Sequence, residues 1–265
     1  MTGEQIRALC RTGTFDRPTT GVALGFTQAN LVILRSDVAV DFERFCRLNP
    51  KPCPLLEVTK PGQYDPTLMA PGADLRTDLP RYRVYRSGVC VDRPASIEPY
   101  WDEDCVGFLI GCSFTFESAL MEAGVPVRHI QEGRNVPMYR TSVECAPSGP
   151  FAGPLIVSMR PMTAEQAQIA VRVTAAFPKV HGSPLQVGDA SAIGIDDLNR
   201  PDFGEPVTIH PGEIPVFWAC GVTPMEAIVR AKPDLAITHE PGHMFVTDIL
   251  DRSLQEHASD RREGL

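Results

Sequence analysis

The segment at positions 237–245, "ITHEPGHMF", contains the pattern H-E-x-x-H. On a helix, this spacing places two histidines on one face, where they bind zinc beside a glutamate base. Here the two intervening residues are Pro241 and Gly242, which cost a helix interior ~3 and ~1 kcal/mol. The sequence therefore predicts a strand that ends at His239 and Glu240, then a tight turn before His243. It argues against the helical zinc site.

The side chains of His239, Glu240 and His243 are still suited to acid–base chemistry or to binding a metal. We expect His239 or Glu240 to exchange protons with a substrate as general acid and base. A divalent metal held by His239, Glu240 and His243 in a non-helical site is an open alternative. The main expectation is that no cofactor is needed.

An internal similarity supplies a second group of candidates. Residues 108–120, "FLIGCSFTFESAL", align without a gap with residues 216–228, "VFWACGVTPMEAI". In each copy an apolar strand ends at a cysteine, a turn follows, and a threonine opens a helix. Cys112 matches Cys220 and Thr115 matches Thr223. The run from Thr223 to Glu226 is typical of a capping box.

This pattern predicts a thiol beside a helix N-terminus, where free amide groups and the helix dipole stabilise anions. We expect the two corners to face each other across one cleft, at the carboxyl ends of parallel strands. The alternative is a purely structural role, in which both cysteines are small residues of the buried core. The predicted catalytic residues are His239, Glu240, Cys112 and Cys220, and the predicted substrate-binding residues are Ser113, Thr115, Gly221, Thr223, Arg86 and Asp189.

Composition limits the partners of this chain. The 265 residues carry a net charge of −8, which argues against nucleic acid or an anionic membrane as the main partner. No apolar run reaches the ~18 residues of a membrane span, and the polar N-terminus predicts a cytoplasmic protein. The eight cysteines form no C-x-x-C pair and are expected to be free thiols. A small carboxylate is the expected partner, and a homo-oligomer is left open.

The elements that must position these residues follow an α/β order. Between residues 131 and 188 the pattern is strand, strand, helix, strand, which suits a small two-layer α+β unit. We therefore predict a main α/β domain from residues 1–130 and 189–265, with an inserted α+β domain at 131–188. His129, His181 and His210 have no local partners in the sequence and are expected to be structural.

Several stretches of the chain together resemble the D-glutamate cyclase family, whose members are often described as hydro-lyases. The matching stretches span residues 19–250 and are "TTGVALGFTQANLVIL", "CPLLEVTKPG", "LPRYRVYRSG", "FLIGCSFTFESALMEAG", "YRTSVECAPSGPFAGPLIVSMRPM", "HGSPLQVGDASAIGI", "VFWACGVTPMEAI" and "ITHEPGHMFVTDI". The resemblance implies a Rossmann-like three-layer main domain with a smaller two-layer domain. It also implies loss of water from a small acid, which in one branch is conversion of D-glutamate to 5-oxo-D-proline.

Three other functions stay open from the sequence. A cofactor-independent racemase or epimerase would use Cys112 and Cys220 as its acid and base. A metal-assisted hydratase would be built on the His239 turn. A non-catalytic protein would bind a carboxylate without turnover.

Overall fold

A computed structural model describes residues 1–255 of the chain. Over this range the chain forms eleven strands and six α-helices. The strands are β1 (Phe26–Arg35), β2 (Leu55–Val58), β3 (Tyr82–Arg86), β4 (Val89–Asp92), β5 (Cys105–Gly111), β6 (Met138–Glu144), β7 (Pro154–Thr163), β8 (Gln186–Val187), β9 (Glu213–Ala219), β10 (Ala236–His239) and β11 (Phe245–Leu250). The helices are α1 (Gly3–Arg11), α2 (Ser36–Leu48), α3 (Phe114–Glu122), α4 (Arg128–Gln131), α5 (Ala164–Ala175) and α6 (Val222–Ala231).

The larger sheet is built around β1. Its seven strands run in the order β2-β5-β1-β10-β3-β4, and β11 also pairs with β1. Strand β1 is a buried apolar run in which Val32 and Leu34 pack on one face and Leu31 and Ile33 on the other. Because side chains alternate along a strand, Asn30 lies on the same face as Val32 and Leu34.

The smaller sheet has four strands in the order β6-β7-β9-β8. Strands β7 and β9 pair along seven positions, from Val157 opposite Ala219 to Thr163 opposite Glu213. This sheet therefore draws strands from both sides of residue 188. The domain boundaries stay a prediction, and the last ten residues of the segment 189–265 lie outside the described part of the chain.

The α/β class is confirmed, but the Rossmann-like three-layer arrangement is not. All the strand pairings of residues 1–255 are antiparallel, so the expected edge of parallel strands is wrong. The apolar runs predict which segments are strands, but a period of two carries no information about strand direction. Strand direction depends on which segments pair, and apart from hairpins such as β3 with β4 these pairs join residues far apart in the chain.

One buried cluster joins the two sheets to each other. It contains Val32 and Phe108 from the large sheet and Val157 and Phe217 from the small sheet. A second cluster packs α3 and α5 on the other face of the small sheet, around Trp218. Residues Cys112 and Cys220 each follow a strand, but the two strands belong to different sheets. The packing of the sheets therefore decides how the two corners meet.

Candidate functional site

The H-E-x-x-H segment forms a turn, as predicted. Strand β10 ends at His239, and the backbone N–H of His243 donates to the Glu240 carbonyl at 2.8 Å. Gly242 has φ +80°, a conformation that glycine adopts at little cost. The two histidines are therefore not one helical turn apart, which excludes the helical zinc site.

His239 is a buried imidazole at the edge of a cavity. It is 7% exposed, and burial lowers its pKa to about 4, so the ring is neutral at pH 7. Its Nδ1 lies 3.2 Å from the Leu31 N–H and 3.3 Å from the Leu31 carbonyl. The same ring position therefore suits either tautomer, since Nδ1 can accept from one group or donate to the other. Nε2 has no hydrogen-bond partner among residues 1–255. It is a donor when Nδ1 accepts, and an acceptor when Nδ1 donates.

Glu240 lies beside His239 but is held away from the cavity lining. Arg83 donates to both of its oxygens, from Nε at 2.8 Å and from Nη2 at 2.5 Å. Burial acts to raise the Glu240 pKa, but Arg83 outweighs it and holds that pKa below the ordinary value. Glu240 is thus a paired carboxylate that fixes Arg83, and its geometry does not favour a role as the base.

Within the described part of the chain, no group of three or more His, Cys, Asp or Glu side chains is placed to hold a metal ion. His243 is partly exposed, and its Nδ1 lies 3.1 Å from the Pro241 carbonyl. The donor set proposed for a metal alternative, His239 with Glu240 and His243, therefore does not converge.

The first corner joins β5 to α3 through Cys112 and Ser113. Helix α3 begins at Phe114, with Ser113 as its N-cap residue and no side-chain cap. Burial raises the Cys112 pKa to about 12, so the sulfur is a thiol rather than a thiolate at neutral pH. The corner therefore holds no internal anion, and the first-turn amides of Thr115 and Phe116 donate to the carbonyls of Cys112 and Ser113. The expected stabilisation of a thiolate is wrong, because burial outweighs the helix terminus.

A fully buried ion pair lies behind the first corner. Arg160 of β7 is 0% exposed, contacts the Glu117 carboxylate and donates to Ser158 Oγ at 3.0 Å. Burial acts to raise the Glu117 pKa, but Arg160 and His129 outweigh it and hold it low. His129, expected to be structural, lies with Nε2 3.3 Å from Glu117.

Arg160 also fixes how Ser113 can bond. Its Nη2 donates to Ser113 Oγ at 3.2 Å, so one oxygen lone pair is occupied. A guanidinium has no acceptor, so the Ser113 hydroxyl hydrogen must be directed elsewhere. Ser113 lines the cavity, and no acceptor within residues 1–255 takes that hydrogen. The bond from Arg160 thus leaves the Ser113 hydroxyl hydrogen available to donate to a group in the cavity.

The second corner joins β9 to α6 through Cys220 and Gly221. Helix α6 begins at Val222, again without a side-chain cap. Cys220 lies in a small apolar cluster, and its Sγ is 3.4 Å from Met138 Sδ. Burial raises the pKa of this thiol to about 11. Like Cys112, it is protonated at neutral pH.

Asn30 holds the two corners together. Its Nδ2 donates to the Gly111 carbonyl at 2.9 Å, immediately before Cys112. On the other side, a Cβ at Gly221 would lie 2.3 Å from the same Nδ2. Only glycine permits this approach. The strand β1 side chain therefore sets the spacing of two corners that come from different sheets.

These residues surround one cavity of about 500 Å³. Of the predicted site residues, it brings together Cys112, Ser113, Cys220, Gly221 and His239. Further lining comes from Asn30, Arg83, Tyr85, Phe114, Asn135, Val136, Met138, Arg140, Phe203, Gly204, Val222, Met225, Glu226, Val229, Thr238, Pro241, Gly242 and Met244.

Four other predicted substrate-binding residues lie off the cavity lining. Thr115 and Thr223 are buried in the first turns of α3 and α6, and each helix begins one residue before its threonine. Thr223 Oγ1 accepts from the Ile156 N–H at 2.9 Å, so the expected capping box is wrong. Arg86 is exposed at the end of β3, and Asp189 accepts from Ser191 in an exposed turn.

Sequence reasoning missed the residues that link elements, above all Arg160 and Asn30. A signal for Arg160 was available, because it is a charged residue inside the apolar run "LIVSMRPM". A charge in a buried strand needs a partner. Asn30 carries a weaker signal of the same kind in "TQANLVIL".

None of the helices formed within residues 1–255 has the length and apolar character needed to cross a membrane. A family model described as D-glutamate cyclase matches residues 106–248, which include both corners and the His239 turn. Among solved structures, a nitrogen repressor-like protein from Methanococcus jannaschii covers 89% of this chain and 91% of its own at 8% identity. Its TM-score of 0.38 is too low to support an argument about the fold.

Curated relatives extend the match over nearly the whole chain. A protein named "Putative hydro-lyase" from Stutzerimonas stutzeri is 57% identical over 249 residues, or 94% of each chain. Proteins of the same name from Rubrobacter xylanophilus and Natranaerobius thermophilus are 59% and 56% identical over 93% of this chain and 95% of their own. The chain therefore belongs to the D-glutamate cyclase family, whose relatives here carry the name of hydro-lyases.

Proposed function

We propose that this protein is a hydro-lyase for a small carboxylic or amino acid, and that D-glutamate cyclisation to 5-oxo-D-proline and water is the first reaction to test. The observation that supports this is the meeting of two helix N-termini and a neutral imidazole in one cavity. Ser113 supplies a donor for a carboxylate or oxyanion, and His239 supplies a group that can exchange protons.

Cyclisation moves two protons from nitrogen to oxygen, and the reaction neither takes up nor releases protons overall. The ammonium nitrogen of glutamate gives up two protons and attacks the γ-carboxyl carbon, where an N–C bond forms. A C–O bond then breaks, and the leaving oxygen takes two protons to depart as water. The enzyme must therefore move protons from nitrogen to oxygen and stabilise the negative charge of the tetrahedral intermediate.

We assign the proton transfers to His239. Because Leu31 supplies both a donor and an acceptor to Nδ1, the ring can take a proton at Nε2 and return one without rotating. Its low pKa keeps the imidazole neutral before a substrate arrives. A bound carboxylate would raise that pKa, since an opposite charge favours the imidazolium.

We assign the oxyanion to the first corner. Ser113 Oγ accepts from Arg160, which leaves the hydroxyl hydrogen available to donate to the oxyanion. Holding the substrate folded, with its amine beside the γ-carboxyl carbon, contributes further acceleration by proximity. The Cys112 and Cys220 thiols are too weakly acidic at neutral pH to favour the racemase alternative.

The test is to incubate the purified protein with D-glutamate and, separately, with L-glutamate, and to follow 5-oxoproline by mass spectrometry. Product from the D form above the spontaneous rate supports the cyclase. Exchange of the substrate α-proton in deuterated solvent would instead indicate the racemase. Binding with no chemistry would indicate a carboxylate-binding protein.

Two matched variants test the assignment of the base. His239→Gln should lower the rate at least ~100-fold, because general acid–base catalysis contributes ~10²–10⁴. His243→Gln changes the other histidine of the same turn, which lies off the cavity lining, and should retain most of the rate. A His239→Gln protein that folds normally and keeps its rate would remove His239 from the mechanism.

A further inference from the structure

A second pocket lies against helix α3, and we call it the loop pocket. Its volume is about 210 Å³, and its lining outside α3 comes from residues 20–26, Gln28, Ile130 and Asp251. Its α3 residues are three or four positions apart, which places them on one face of the helix: Phe114, Glu117, Ser118 and Met121. Of all these residues, only Phe114 also lines the cavity described above. The loop pocket is therefore a separate site.

The walls of the loop pocket are mainly apolar. The apolar lining includes Val22, Leu24, Phe26, Phe114, Met121 and Ile130. The polar side chains are the hydroxyl groups of Thr20 and Ser118 and three groups with acceptor oxygens, on Gln28, Glu117 and Asp251. No lysine, arginine or histidine of residues 1–255 lines the pocket. The pocket therefore offers a ligand several acceptors but no cation.

The first acceptor is the side-chain oxygen of Gln28, which is 5% exposed. Nε2 of Gln28 donates to the carbonyls of Thr19 and Val22, each at 3.1 Å. These two carbonyls fix the orientation of the amide, because only its nitrogen can donate to them. Oε1 is left buried without a hydrogen-bond partner. A buried acceptor without a partner costs free energy, so a donor bound in the loop pocket would be stabilised by it.

The second acceptor belongs to Glu117, which is 3% exposed and lines the loop pocket but not the cavity. Its contacts with Arg160 and His129 are all made through Oε1. Oε2 accepts no hydrogen bond from residues 1–255. One carboxylate oxygen thus holds the buried ion pair, and the other is available to a ligand.

The third acceptor is the Asp251 carboxylate, which accepts from Thr27 Oγ1 at 3.3 Å. It has no cationic partner within residues 1–255, and burial raises its pKa to about 7. Arg160 balances the charge of Glu117. The lining therefore carries one uncompensated negative charge, at Asp251, which a single positive charge would neutralise.

We propose that the loop pocket binds a small primary ammonium compound with a short apolar chain. An ammonium group has three hydrogens, one for each of the three acceptors. The chain packs against the apolar walls. A carboxylate on the same ligand would meet Glu117 and Asp251, so the pocket disfavours zwitterionic amino acids. This site goes beyond the proposed function and does not depend on it.

A series of small ligands tests this proposal on the unmodified protein. We would titrate it with butylammonium, methylammonium and 1-butanol by calorimetry at pH 8 and constant ionic strength. At this pH Asp251 is mostly ionised, and the amines keep their proton because such groups titrate near ~10.4. Butylammonium should bind at least ~10-fold more tightly than 1-butanol, which lacks the charge. It should exceed methylammonium by a similar factor, because it buries three more methylenes. Potassium chloride should not displace it.

Two matched substitutions locate the ligand. Asp251→Asn keeps the shape of the side chain and an oxygen that can accept from Thr27, and should weaken butylammonium at least ~10-fold. Glu122→Gln removes an exposed carboxylate that acts on Asp251 through its charge but does not line the pocket. It should change the affinity less than ~2-fold, because water and salt screen it.

A protein that binds no butylammonium would overturn the proposal, as would equal affinities for butylammonium and 1-butanol. Displacement by potassium would show a site for an inorganic cation and overturn the role of the chain. Binding that survives Asp251→Asn unchanged would place the amine elsewhere. A further arm uses 4-aminobutanoate, whose binding should not depend on Asp251, and an Asp251-dependent affinity equal to that of butylammonium would contradict the exclusion of acids. None of these outcomes bears on whether D-glutamate is converted in the cavity.

Discussion

The corners at Cys112 and Cys220 share a chain pattern and differ in what surrounds them. Each joins an apolar strand to a helix through a buried thiol. At the position where the first corner has Glu117, the second has Met225, and where the first has Ser113 the second has Gly221. The first corner therefore has a buried ion pair that the second lacks, and the charge of the second corner lies one position later, at Glu226, which pairs with Arg140.

The difference shows that a local pattern sets backbone geometry while its neighbours set the chemistry. Arg160 reaches the first corner from β7 and gives Glu117 and Ser113 their partners. Asn30 reaches both corners from β1. Neither neighbour belongs to the repeated segments.

The largest expected effect comes from breaking the ion pair of the first corner. Arg160→Met should lower the free energy of unfolding by ~3–5 kcal/mol, because it leaves the Glu117 carboxylate buried without its main partner. The double variant Arg160→Met with Glu117→Met gives the first corner the methionine of the second. It should recover much of the loss, since apolar groups often replace a buried pair at little cost. Urea unfolding measures both, and a single variant as stable as the double would contradict the argument.

The two corners should also differ in how they make the free energy of unfolding depend on pH. His181 contacts the Gly111 backbone at the first corner and is 1% exposed, and burial lowers its pKa to about 4. The unfolded chain, with an ordinary pKa near 6.5, binds the proton first as the pH falls. Stability from the neutral ring is therefore complete above pH 6.5 and lost progressively down to pH 4, by about 3 kcal/mol in total.

His181→Asn should remove this contribution and keep the left-handed backbone, since the native φ is +83° and asparagine tolerates it. The measurement is the difference in unfolding free energy between the variant and the wild type at several pH values. This difference is needed because Asp251, whose pKa burial raises to about 7, acts in the opposite direction. Met225→Gln at the second corner should leave the pH slope unchanged. The prediction would be contradicted if the unfolding free energies of His181→Asn and of the wild type changed in parallel with pH.

A side chain at position 221 of the second corner, where the first corner has Ser113, should clash with Asn30. Gly221→Ala would place a Cβ 2.3 Å from Asn30 Nδ2 and should cost ~1–3 kcal/mol, because Asn30 is held by its bond to Gly111. In an Asn30→Ala background the same substitution should cost much less. Thermal unfolding of the four proteins gives the coupling directly, and additive effects would show that the contact does not matter.

The last prediction compares the matched threonines, and Thr115→Val should have the smallest effect of all. Thr223→Val should cost ~1–3 kcal/mol, because it leaves the buried Ile156 N–H without its acceptor. Thr115→Val should be neutral or slightly stabilising, since Thr115 Oγ1 is buried without a hydrogen-bond partner. Chemical denaturation of the two variants side by side tests this, and equal losses would contradict it.

Parts of the site follow from sequence because the signals are local. Pro241 and Gly242 break a helix, so the turn after His239 was predictable, and it is confirmed. The repeated segments likewise placed Cys112 and Cys220 at strand ends. The cap positions and the pairing of Glu240 were not predictable, because each depends on a partner far along the chain.

The sequence by itself determined most of the strands, the two corners, the turn and the family. These depend on apolar period, helix breakers and segments that are read one at a time. The tertiary structure alone decided that the strands are antiparallel, that the corners come from two sheets, and that Arg160 and Asn30 join them. The reason is physical, since a residue's type records that it needs a partner, whereas the packing of distant segments decides which partner it finds.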